Sequence, residues 1–308
     1  MFFTRIIPAV LLGVYSLTVG AQPVTTSFRS NGVDLPAFLQ RHSEGELRAV
    51  VVNLHGNPGG PIRPELPLAT VLAKHGVASF WFNYSGIWGN PGTYTFSNSV
   101  ADLRAAVDYL RSSAAKSRFD LGETPIVLFG YSMGSAVALV GAGGDDRVAG
   151  VIALAPCDHG YFGRELANPQ THLKPFFEAV GDAIFGPNGA VPGGWPVFSA
   201  DLVSNHPKIG FPQNAQALQN KALLIFGALD DETCPLEEHF FPLYRTLRGA
   251  QHSRLQAQVL NTGHGLDGPT ALLMRQVTAD WIVRSFPGGA VKGAEGRASE
   301  SSTRQPRQ

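Results

Sequence analysis

The chain has 308 residues, 44% of them hydrophobic and 16% charged, with a formal net charge of zero. That is enough apolar material for one large α/β domain or two small ones, and it excludes a globally disordered chain. No basic patch stands out, so nucleic acid is not an expected partner.

Residues 1–21 read as an export signal. Arg5 opens it, the apolar stretch IIPAVLLGVYSLTVGA follows, and Val19 and Ala21 are the small residues that precede a signal-peptidase cut after Ala21. Pro8 and the modest length of the run argue against a stable membrane anchor, which takes about 20 apolar residues. The mature protein is therefore expected to be secreted or periplasmic, where a disulfide persists. A mature domain is expected over 22–286. Residues 287–308 are polar, rich in Gly and Ser, and read as a disordered tail.

In residues 25–47 the pairs Asn31–Gly32 and Glu44–Gly45 signal turns, which fits an antiparallel hairpin at a sheet edge. A buried strand is expected over 47–56, a helix closed by a glycine over 63–76, and a second strand over 77–86. The clearest helix covers 97–113. Leu103, Val107 and Leu110 share one face, and Ser99 with Asp102 fits a capping box. Apolar, β-branched strands follow at 124–132, 148–157, 221–230 and 255–263. A last helix covers 269–286, with Leu273, Val277 and Trp281 on one stripe. Continuously apolar strands separated by helices imply a mostly parallel sheet covered on both faces. In such sheets the functional residues collect at the carboxyl ends of the strands. Residues 159–220 break the alternation. They show no clear strand and many aromatic, Gly and Pro residues, and a stretch that long between core strands reads as a lid insertion over those ends.

The strand at 124–132 runs into Gly130-Tyr-Ser132-Met-Gly134 and then a helix-compatible stretch. In that strand–turn–helix context, G-x-S-x-G puts Ser132 on a sharp turn, with glycines where backbones approach closely. A serine nucleophile needs a base. His264, in NTGHG after the last strand, can reach across the top of the sheet, whereas His75 stands at a helix end and His239 in the solvated stretch LEEHF. The base needs an acid, and GALDDETCP (227–235) offers Asp230 or Asp231. An oxyanion needs two N–H donors. The Met133 backbone follows the nucleophile, and the loop HGNPGG (55–60) offers Asn57, since Pro58 has no N–H.

The segments LHGNPGG, FNYSGIWGNPG, GYSMGSA, GALDDETCP and NTGHG, in this order, resemble a serine hydrolase of the α/β-hydrolase superfamily. Within it, they resemble the catalytic domain of the prolyl oligopeptidase and acylaminoacyl peptidase group, over residues 45–286. The resemblance implies the α/β-hydrolase fold, no cofactor and no metal, and a triad of Ser132, Asp230 and His264. Its acid pattern, G-x-x-D-D-x-x-x-P, takes the first aspartate of the pair, whereas counting four back from Pro235 takes Asp231. That group carries a large propeller ahead of the hydrolase domain. Here about 25 mature residues precede the first core strand, which weakens the peptidase implication. Tyr84, Trp88 and Tyr94 either wall a substrate pocket or pack under the lid. Cys157 ends the strand before the lid and Cys234 follows the acid, and the two strands are neighbours in such a sheet, which implies a disulfide between them. A metal set of Cys157, Asp158, His159 and His172 is completed by nothing else in the sequence. The expected activity is cleavage of a small carboxylic ester through an acyl-enzyme. The alternatives are a peptidase or amidase acting on short peptides or aminoacyl amides, and an inactive binding module that keeps the fold.

Overall fold

The computed structural model describes residues 22–41, 47–266 and 268–288. The expected export segment with its cut after Ala21, the turn at Glu44–Gly45 and all but the first two residues of the expected tail lie outside them.

The chain begins with a hairpin, β1 (Val24–Ser30) and β2 (Val33–Gln40), turned by Asn31 and Gly32, both at positive φ. Six further strands follow, namely β3 (Ala49–Leu54), β4 (Val77–Phe82), β5 (Ile126–Tyr131), β6 (Val148–Leu154), β7 (Ala222–Asp230) and β8 (Leu255–Gly263). They form one sheet in the order β1-β2-β4-β3-β5-β6-β7-β8, parallel from β4 to β8 and antiparallel where β2 meets β4. β3 and β4 are buried at every residue, as strands covered on both faces must be.

The period of two divides the core. On β3, Val50, Val52 and Leu54 face one apolar layer, and Ala49 and Val51 face the other. The first layer is closed by α2 (Phe96–Arg111) and α4 (Met133–Ala142), the second by α1 (Pro67–Ala73) and α10 (Gly268–Ser285). α3 (Ser113–Phe119) continues α2 after Ser112 caps it. No helix among the described residues is long and apolar enough to cross a membrane.

Two helix details differ from expectation. The N-cap of α2 is Thr95, whose hydroxyl accepts the Asn98 N–H. Ser99 and Asp102 lie inside the helix, buried. Asp102 turns inward to accept the hydroxyls of Ser30 and Ser85 and the Ser85 N–H, so it ties α2 to the hairpin. On α10 the stripe is shifted. Met274, Thr278, Trp281 and Ile282 are buried, while Leu273 is exposed.

Residues 159–220 carry helices: α5 (His159–Leu166), α6 (Lys174–Phe185), α7 (Trp195–Ile209) and the short α8 (Phe211–Asn214). Pro175, Pro196 and Pro212 stand in the first turns of α6, α7 and α8, where a missing N–H costs nothing. After β7 come a π-helical turn (Leu236–Phe240) and α9 (Phe241–Gly249).

The strand order reverses between β3 and β5, one leading outward to β4 and the other to β6. Loops at such a reversal leave a crevice at the carboxyl ends of the strands.

Candidate active site

Ser132 is the first residue past β5. Its backbone sits at φ 55° and ψ −121°, a conformation that a side-chain-bearing residue rarely holds. Tight packing imposes it. A Cβ on Gly130 would strike the Gly134 carbonyl, and one on Gly134 would strike the carbonyl of Leu54. The Ser132 N–H is held by the Leu154 carbonyl at 2.9 Å, and the Ser135 hydroxyl donates to the carbonyls of Gly130 and Leu154. The turn is thus fixed to β6, with the N-terminus of α4 starting beneath it.

His264 follows β8. Its Nε2 lies 2.9 Å from Ser132 Oγ, and its Nδ1 lies 2.7 Å from Asp231 Oδ2. Because a carboxylate accepts from Nδ1–H, Nε2 is left to take the serine proton. The Tyr131 hydroxyl holds the His264 carbonyl at 2.9 Å.

The carboxylate that meets His264 is that of Asp231, which corrects the expectation of Asp230. Asp230 is the last residue of β7, paired with Gly263 across a register shift, and its side chain is exposed. Neighbouring side chains at a strand end point to opposite sides, so one aspartate of the pair turns inward and the other outward. Asp231 is buried, and its second oxygen accepts the N–H groups of Thr233 and Cys234 at 3.0 and 2.7 Å. The count back from Pro235 is the signal that picks it out.

Asn57 and Met133 both border the cavity that contains Ser132. The loop that carries Asn57 presses on the nucleophile, since a Cβ on Gly56 would come within 2.9 Å of Ser132 Cβ. Tyr84 and Tyr94 do not wall this cavity, and neither does Trp88. Tyr84 and Tyr94 are fully buried beneath the 55–60 loop, where Tyr84 donates to the His55 carbonyl and Tyr94 to Asn57 Oδ1 at 3.0 Å. Trp88 lies outside, its indole N–H on the Pro58 carbonyl. Tyr94 also packs under the cap helices, against Phe185 and Phe198 at 6.3 and 5.2 Å, which is the second of the two expectations.

Those helices supply the walls, among them Phe162, Phe177, Ile184, Trp195 and Phe198, around a space of about 70 Å³. His159 lines it too, a residue that sequence reasoning considered only as a metal ligand. A larger cavity of about 480 Å³ opens between α1 and α10. His55, Tyr131 and Leu266 border it, but Ser132 and His264 do not.

Cys157 and Cys234 form a disulfide with Cα atoms 5.3 Å apart, and Cys157 Sγ lies 3.5 Å from Ser132 Oγ. The two sulfurs and His264 lie close enough together to suit a metal ion, but both sulfurs are committed to each other. Asp158 caps α5 and holds the Phe211 N–H, and His159 bonds the Cys157 carbonyl, so the set considered for a metal does not converge on one point.

A buried serine hydroxyl, an imidazole and a carboxylate in series can make an alkoxide-like nucleophile and return the proton to a leaving group. The quorum-quenching protein AidA of Acinetobacter baumannii is 29% identical over 175 residues, which is 55% of this chain and 56% of AidA. The aligned part thus spans just over half the length of that relative. An esterase from Pyrococcus furiosus superposes with a TM-score of 0.62 at 16% identity, covering 86% of this chain and 92% of the esterase. The acylaminoacyl peptidase of Pyrococcus horikoshii superposes with a TM-score of 0.61 at 15% identity, covering 92% of this chain and 44% of the peptidase. At such identities the two structures share the fold. The model of the alpha/beta hydrolase family matches residues 27–292, and the chain belongs to that family.

Proposed function

We propose that this protein is an exported serine hydrolase that cleaves small carboxylic esters through an acyl-enzyme. The observation that carries the reading is the unbroken hydrogen-bond chain from Ser132 Oγ through His264 to Asp231. In the first step Ser132 Oγ attacks the acyl carbon while His264 Nε2 takes its proton. The tetrahedral oxyanion is held by the backbone N–H groups of Met133 and Asn57. When it collapses, His264 gives the proton to the departing alcohol. Water then enters, His264 removes its proton, and a second collapse frees the acid and restores Ser132. Asp231 holds the imidazole in the tautomer both steps need and stabilises the imidazolium between them. Export by residues 1–21 agrees with a disulfide beside the nucleophile, since such bonds persist in oxidising compartments.

Turnover of 4-nitrophenyl acetate and butyrate, set beside aminoacyl-anilides, tests the reading. The wild type should cleave the esters, and a fluorophosphonate should label Ser132. Ser132→Ala should lose nearly all turnover while keeping its unfolding transition. Full activity in Ser132→Ala, or no adduct on Ser132, would overturn it, and a preference for the anilides would replace esterase with amidase.

A further inference from the structure

Of the cap-helix side chains that line the cavity over Ser132, His159 is the one hydrogen-bond acceptor among the described residues. The rest are aliphatic or aromatic, and Trp195 can only donate. The tautomer of His159 is determined by its surroundings. Nδ1 lies 2.9 Å from the Cys157 carbonyl, which can only accept, so Nδ1 carries the hydrogen and Nε2 presents a lone pair. Nε2 meets no hydrogen-bonding partner among the described residues. The ring is stacked on Phe96 at 5.0 Å and edge-on to Phe162 at 5.6 Å, so it cannot swing away. His159 is on the cavity wall, and a site whose wall carries an acceptor with no protein partner favours ligands that can donate to it.

We infer that His159 selects short acyl groups that carry a hydroxyl, with the hydroxyl donating to Nε2 while the carbonyl carbon lies at Ser132. The inference rests on the proposed ester hydrolysis and adds its substrate class. The shortness follows from the space. About 70 Å³ is well below the roughly 300 Å³ at which drug-sized pockets begin, and suits an acyl chain of a few carbons. The histidine keeps its lone pair across the working range, because burial lowers its pKa to about 4. No bond to His159 forms or breaks in the reaction. Its part is to position the acyl group.

The test compares 4-nitrophenyl 3-hydroxybutyrate with 4-nitrophenyl butyrate, two esters that differ by one hydroxyl. The wild type should favour the hydroxy ester in kcat/KM by about tenfold. His159→Phe, which keeps a ring on Phe96 and removes both nitrogens, should bring the ratio of the two kcat/KM values near one. His159→Gln, which restores an acceptor, should recover part of the preference. A wild-type ratio at or below one, or the same ratio in His159→Phe, overturns the inference and leaves the hydrolase reading standing, provided Ser132 still takes a fluorophosphonate. If neither ester is cleaved and Ser132 takes no label, both fall together.

Discussion

Asp231 meets His264 at 2.7 Å through one carboxylate oxygen, and its other oxygen is held by the backbone N–H groups of Thr233 and Cys234. The carboxylate is therefore aimed by its own loop before it aims the imidazole. Asp231→Asn should lower kcat by about 10³–10⁴-fold with little change in fold, because an amide in its place favours the wrong imidazole tautomer. Asp230→Asn, on the exposed side of the strand end, should stay within about twofold. Steady-state turnover of 4-nitrophenyl butyrate by the two variants decides it, and equal losses would refute the assignment.

Tyr94 touches both residues expected to hold the oxyanion. Its hydroxyl donates to Asn57 Oδ1 at 3.0 Å and lies 3.4 Å from Met133 Sδ. Burial pushes its pKa well above the ordinary tyrosine value, so it remains a donor. Tyr94→Phe keeps the ring on Phe198 and deletes the hydroxyl's contacts with Asn57 and Met133. A hydrogen bond of about 0.5–1.5 kcal/mol corresponds to a fall in kcat of about 2- to 13-fold if it serves the transition state. KM should move less than twofold. A change confined to KM would show that Tyr94 serves ground-state binding.

The disulfide joins the root of the cap to the acid loop, since Cys157 follows β6 and the Cys234 N–H bonds Asp231. It closes a sequence separation of 77 residues. Replacing both cysteines by alanine should cost about 2–4 kcal/mol of unfolding free energy. It should also lower kcat, because one of the groups that aim Asp231 then moves more freely. Urea unfolding and turnover of the double variant measure the two effects. A double variant as stable and as fast as wild type would remove the brace from the mechanism.

Much of this was legible in the chain. The strand–turn–helix around Ser132 and the place of His264 are local patterns, and local patterns survive folding, while the pairing of the cysteines followed from the strand order that the resemblance implies. What escaped was settled by direction. Whether Asp230 or Asp231 turns inward depends on where β7 stops pairing with β8, which a register shift decides. The rings of Tyr84 and Tyr94 were open to two readings because an aromatic residue after a buried strand can face up or down. The cap helices were hidden by Pro175, Pro196 and Pro212, which read as breakers in sequence and act as helix starters in the fold. His159 had no motif at all. It became visible as a functional candidate once its neighbours proved to be apolar.

His159 and His239 also make stability depend on pH. Burial lowers their pKa values to about 4 and about 3, against 6.5 for a free histidine. Below pH 6.5 the unfolded chain takes up protons that the folded chain refuses, so the unfolded state gains as pH falls. Stability should therefore drop between pH 6.5 and about 4, with a slope of up to about 1.4 kcal/mol per pH unit for each histidine. Asp102 and Asp158 act the other way. Burial raises their pKa values, so the folded chain holds protons there that the unfolded chain releases, and they offset part of the loss near the low end of the window. The comparison that isolates the effect is wild type against His159→Phe, unfolded in urea at pH 7.5, 6, 5 and 4.5. Removing one refused proton should flatten the decline by about one histidine's share. Parallel curves for the two proteins would mean that His159 takes its proton in the folded state as readily as in the unfolded one.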